Sequence, residues 1–155
     1  MNAAQIHLMI NHFPIAGSFL VVLFFIMAFV FKNKQFILSG MIIAIISGVF
    51  TIGMDLSGDG TEEIIKNKPG VTHALIKAHE EAADKTLIVM VLMALAAGVW
   101  FYARSKKPAW ISKIEIGVFV LGIISSGLIA NTAHLGGMIR HDEIRTIVAT
   151  QIEKI

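Results

Sequence analysis

The sequence has no cysteine, which excludes disulfides, iron–sulfur clusters, thiolate zinc sites and covalent haem attachment through CxxCH. Charge is scarce as well. Only 15% of the 155 residues are Asp, Glu, Lys or Arg, against about 25% in an ordinary globular domain. Proline occurs three times, so long helices meet few interruptions. No phosphate-binding loop, nucleophile triad or internal repeat is present. The pI near 9.0 reflects a net charge of only +2, too little to indicate nucleic acid as a partner. What remains is apolar: 55% of the residues are hydrophobic and the mean hydropathy is +0.75.

That apolar excess sits in four blocks, 13–31, 37–54, 86–103 and 116–133, none of which contains Asp, Glu, Lys or Arg. At 1.5 Å per residue each makes roughly 27–29 Å of helix, about one hydrocarbon thickness. Backbone polar groups cannot stay unpaired in lipid, so runs of this length predict helices. The fold expected is an all-α integral membrane four-helix bundle forming a single transmembrane domain over 1–155. Short links at 32–34 and 104–113 predict an antiparallel up-down order.

Basic residues orient the bundle. The two short links carry Lys32, Lys34, Arg104, Lys106, Lys107 and Lys113 but only one acid, Glu115, close by. The positive-inside rule makes these links cytoplasmic. Both termini, the connection 55–85 and the tail 136–155 then face outward. The first twelve residues hold no Lys or Arg and no signal-peptide pattern, so the first span is expected to be retained. A multi-pass protein of a bacterial inner membrane fits this layout.

All six histidines fall on the outward side: His7 and His12 before the first span, His73 and His79 before the third, His134 and His141 after the fourth. Imidazole ligates haem iron and other transition metals, and it titrates near neutral pH. For any one histidine, an interfacial position suffices as explanation; six on one side suggest a shared site. His12 and His134 border their spans at similar depth and form the preferred ligand pair. His79 with His7 forms a second pair, about 140° separating His7 from His12 around a helix. His141 shares a face with His134 if the helix continues through Gly136 and Gly137.

The connection 55–85 is the most polar stretch. Gly58, Asp59 and Gly60 read as a turn, Thr61 to Ile64 as a capped helical turn, and Pro69 with Gly70 as its stop. Thr72 reads as the N-cap of a helix that continues into the third span, with Ala74, Leu75, Ala78 and Ala82 as its inward stripe. Glu80 and Asp84 stand beside His79 as metal-site candidates, with a solvated acidic face as the simpler account. Glu80 and Asp55 are candidate proton acceptors. Gly117, Gly122 and Gly127 recur every five residues, suited either to close helix packing or to clearing room for a flat macrocycle. The tail 142–155 spaces Ile144, Ile147, Val148, Ile152 and Ile155 as an amphipathic helix for the outer leaflet or a partner.

The segment 7–15, HLMINHFPI, resembles the HP-x-x-x-HFPI opening of a family of small bacterial four-helix membrane proteins classed only as a domain of unknown function. The segment 134–141, HLGGMIRH, resembles that family's later glycine-pair-and-histidine signature, and Pro69 to Val71 with His79 to Ala82 is similar to a subset of it. Leu8 stands where the family often has proline, and the stretch from Gly137 to His141 is shortened. The resemblance implies the four-span topology and draws attention to His7, His12, His134 and His141. It implies no chemistry.

Three functions fit these residues. In the first, a b-type cytochrome carries electrons between membrane quinol and an exported partner through one or two bis-histidine haems. In the second, the histidines with Glu80, Asp84 or Asp55 bind a transition-metal ion; no span carries a central charge of the kind that marks an ion pathway. In the third, the chain is a structural subunit of a larger membrane complex or a homo-oligomer. The orientation has a direct test, because the chain has no native cysteine. Single cysteines at Asn33 and Ser105 are expected to be shielded from an impermeant maleimide in intact cells, and one at Asn67 to be labelled. The reverse pattern inverts the topology.

Overall fold

The computed structural model describes residues 1–141 except Lys107, together with Glu143 and Arg145. The helices are α1 (Ala3–Ile10), α2 (His12–Phe31), α3 (Gln35–Ile65), α4 (His73–Ala103) and α5 (Ile111–Arg140), with a 3-10 turn at Arg104–Lys106. Four helical segments are long and apolar enough to cross a membrane: Ala3–Phe31, Gln35–Ile65, His73–Lys106 and Ile111–Arg140. The amphipathic tail expected over 142–155 lies outside the described residues, apart from Glu143 and Arg145.

Local chemistry sets the helix ends. Asn2 caps α1 by accepting from the Gln5 amide at 2.9 Å, and the Gln5 side chain accepts from the Asn2 amide at 3.0 Å. The break at Asn11 follows from Pro14, which has no N–H for the Ile10 carbonyl. Lys32 ends α2 in the left-handed region, φ 50°. Thr72 caps α4 as the sequence indicated, its hydroxyl accepting from the Leu75 amide at 3.2 Å. From there α4 continues unbroken into the third apolar block. The last turn of α5 receives Arg145, whose guanidinium donates to the Met138 and Ile139 carbonyls at 2.6 and 3.1 Å.

Three local expectations are corrected. Gly58, Asp59 and Gly60 make no turn, because α3 runs through them to Ile65. Gly60 is used for packing, whereas Gly58 has nothing within 4 Å of where a Cβ would stand. A Cβ on Gly60 would lie 2.8 Å from Ala3 Cβ, and one on Gly53 3.6 Å from Ile10 Cδ1, so α1 lies along this stretch of α3. Thr61 to Ile64 is therefore the last part of a long helix, and its Thr61 hydroxyl donates back to the Ser57 carbonyl. The inward stripe of α4 is also shifted: Ala74 and Ala78 are exposed, while Ile76, Ala82 and Thr86 are buried. Gly136 and Gly137 do not interrupt α5, which extends to Arg140.

Packing runs around a ring in which α2 meets α3, α3 meets α4, α4 meets α5 and α5 returns to α2. Phe13 stacks on Phe50 and Phe24 on Phe36 between α2 and α3. Val21 abuts Gly122, and Phe25 stacks on Phe119, between α2 and α5. The shared core is small: Val21, Met41, Ala44, Met90, Met93, Ala97 and Val118 are its fully buried members. Large apolar side chains point outward instead, Phe29 being 85% exposed, which a water-facing surface rarely tolerates on this scale.

The glycines divide by what surrounds them. Cβ atoms on Gly17, Gly48 and Gly122 would meet neighbouring helices within 3.1 Å, whereas Gly117 and Gly127 have nothing within 4 Å. Close packing thus accounts for only one of the three regularly spaced glycines of α5. Gly48→Leu is expected to destabilise the bundle by roughly 1–3 kcal/mol through overpacking against Ala94 and Met90. Gly127→Ala should leave the unfolding midpoint in detergent nearly unchanged. Equal effects from both would remove the packing account.

Candidate functional site

The end of the bundle formed by α1, the start of α4 and the ends of α3 and α5 holds two half-buried histidines, His7 and His79. His7 sits on α1 with Nδ1 3.0 Å from Ser57 Oγ of α3. The Ser57 hydroxyl reaches the Met54 carbonyl at 2.8 Å, and the His7 ring interacts with that carbonyl as well. His79 sits on α4 with Nδ1 3.0 Å from the Thr132 carbonyl of α5. A carbonyl only accepts, so His79 Nδ1 carries the proton, and the neutral ring keeps a lone pair on Nε2. The two imidazoles are close enough to interact electrostatically.

His79 is held on several sides. Thr132 Oγ1 lies 2.9 Å from Thr86 Oγ1, which joins α4 to α5 one helical step from the imidazole. Both hydroxyls also reach their own helix, Thr86 toward the Ala82 carbonyl and Thr132 toward the Leu128 carbonyl. A Cβ on Gly136 would come within 3.0 Å of His79 Cε1 and 3.4 Å of Nδ1; the glycine is what lets the ring lie against α5. Small side chains dominate this end: Ala3, Ala4, Gly53, Ser57, Ala83, Ala133 and Gly137 are all only half-buried. One helical turn beyond His7, the Asn11 side-chain oxygen is buried without a hydrogen-bond partner.

The other histidines are placed differently. His12 and His134 are both exposed. Thr132 and Gly136 are the α5 residues that touch His79, and His134, two positions from each, lies about 160° around the helix from them. His73 is the exposed first residue of α4. His141 is exposed in extended backbone just past α5, its Nδ1 3.0 Å from Glu143, so the shared face with His134 does not form. Glu80 lies beside Glu62 of α3, with Asp59 and His73 nearby, while His79 turns to α5. Asp55 and Asp84 are exposed. Among the described residues, no three His, Asp or Glu side chains converge as a metal site.

Sequence reasoning did not single out Ser57, Thr86, Thr132 or Gly136 as supports for histidine. A signal existed for one of them: Thr86 follows His79 by seven residues and shares its helix face. No family model, curated protein or solved structure matches this chain. Nitrogen-15 spectra of histidine-labelled protein at mildly alkaline pH are expected to show His79 as the Nδ1–H tautomer, assigned by signal loss in H79Q. An Nε2–H tautomer at His79 would contradict its hydrogen bond to the Thr132 carbonyl.

Proposed function

We propose that this chain is a small membrane electron carrier of the b-type cytochrome kind, with His7 and His79 as the protein ligands of its haem. The observation that carries the reading is the shared state of those two imidazoles. Each is half-buried, and each has Nδ1 3.0 Å from an oxygen on a neighbouring helix. Second-layer partners on the far ring nitrogen are the usual way of orienting a ligating histidine and raising its basicity. The donor count favours haem over a bare ion. Haem iron takes only its axial ligands from the protein, whereas zinc takes three or four, and no third ligand converges among the described residues.

When bound, haem supplies reversible one-electron transfer at its iron. The chain's own residues do the rest. Ser57 orients the His7 ring, and the Thr132 carbonyl fixes the tautomer and orientation of His79. The Thr86–Thr132 contact holds α4 against α5, and Gly136 gives the His79 ring its place. Membrane quinol as electron source and an exported protein as acceptor fit a centre at this end of the bundle.

The topology belongs to the same proposal. An antiparallel up-down bundle is supported by contacts such as Ala3 with Gly60, His7 with Ser57 and Phe13 with Phe50. Both termini outside a bacterial inner membrane is supported by the basic links at the opposite end and by the family resemblance.

Absorption spectra of the detergent-purified protein, oxidised and then dithionite-reduced, test the reading when paired with iron analysis. A sharp reduced α-band with stoichiometric iron is expected. His7→Ala and His79→Ala should each lose it with helical circular dichroism retained, while His12→Ala and His134→Ala keep it. Colourless, iron-free protein from haem-replete cells would overturn the proposal. Haem loss confined to the His12 and His134 variants would overturn the ligand assignment.

A further inference from the structure

His12 and His134, exposed and unused by the centre above, lie on one seam of the bundle. Between α2 and α5 runs an apolar groove of about 320 Å³ lined by Phe19, Val22, Leu23, Ile26, Ile123 and Ser126. Ser126 adds no free donor to it, because its hydroxyl donates to the Gly122 carbonyl at 2.8 Å. On α2, His12 precedes Phe19 by seven residues and Ile26 by fourteen, so it falls within about 40° of both. On α5, His134 follows Ile123 by eleven residues and falls about 20° from it. The pairing of Val21 with Gly122 and of Phe25 with Phe119 sets His12 level with position 131. His134 is then about one helical turn further along the same edge. Two exposed imidazoles thus crown an apolar groove that continues down the lipid-facing side.

We propose that this seam binds an isoprenoid quinone or quinol, with the tail in the groove and the head group at His12 and His134. A neutral imidazole offers one donor and one acceptor, which matches a quinone carbonyl or a quinol hydroxyl. A phospholipid head calls for Lys or Arg at its phosphate. On α2 no basic residue precedes Lys32, at the opposite end, and on α5 the nearest, Arg140, is six residues past His134 and about 120° around. The choice of a redox lipid among uncharged amphiphiles rests on the reading of the chain as an electron carrier; the shape and polarity of the seam do not.

The test uses the full chain in phosphatidylcholine nanodiscs with an azido-ubiquinone photoprobe, competed with decylubiquinone and mapped by mass spectrometry. Saturable labelling of α2 and α5 is expected. Phe19→Trp and Ile123→Trp fill the groove and should each cut labelling about tenfold. Both positions are about half exposed, so the core is untouched, and monodisperse protein confirms it. His12→Gln and His134→Gln should each weaken competition several-fold. His7→Ala should leave labelling within about twofold, which separates a failure of the haem centre from a failure of this site. Non-saturable labelling, labelling elsewhere, indifference to both tryptophans, or displacement by phosphatidylglycerol in place of quinone would overturn it. A change of oligomeric state in Ile123→Trp would also overturn it, assigning the seam to a second copy.

Discussion

Hydrocarbon gives four apolar helices no hydrophobic reason to associate, so close approach and a few polar contacts must hold them. Every feature of this bundle answers to that constraint. Gly17 admits Ser47, Gly48 admits Ala94 and Gly122 admits Val21, bringing backbones near enough for dispersion to act over a long seam. The α4–α5 pair is further pinned at both ends. Thr86 meets Thr132 at one end, and Trp100 Nε1 donates to Glu115 at 3.0 Å at the other. Arg104 stacks over Trp100 at 5.2 Å and adds a cation–π contact beside that bond. With α4 and α5 fixed in register at two levels, His79 has a defined partner on the neighbouring helix.

The four spans were legible in the sequence because their signal is length without charge, and lipid enforces helix on such runs whatever the packing. The cap at Thr72 was legible for a similar reason, since a hydroxyl before a helix answers a local need. Gly60 was misread because the same residue serves a turn or a close contact, and the deciding partner, α1, is more than fifty residues away in sequence. Pro14 carried the missing clue: it separates α1 from α2, and that break lets α1 lie over the glycines of α3. Ranking the histidines by depth leaves a second variable open. Depth follows from counting residues to a span, and on depth alone His12 and His134 are the natural pair. Burial follows from helix rotation, which only packing sets, and rotation turns His7 toward α3 and His79 toward α5.

Several polar side chains deeper in the bundle bond to their own helix, although the Ser125 hydroxyl is buried without a partner. Thr51 donates to the Ser47 carbonyl, Ser18 to that of Ile15 and Ser126 to that of Gly122, so they need nothing from a neighbouring helix. Histidine has no such local solution. Its ring reaches past its own backbone, and in an apolar medium a ring nitrogen left unpaired is costly. A buried histidine therefore belongs where a facing helix can lend an acceptor. Thr132 can do so because a carbonyl has two lone pairs, one available beyond the helix's own bond, and because Gly136 removes the side chain that would block the approach. That contact satisfies Nδ1 of His79, while Nε2 is not among the buried polar atoms that lack a partner, so the ring is both anchored to α5 and open at the half-buried end of the bundle.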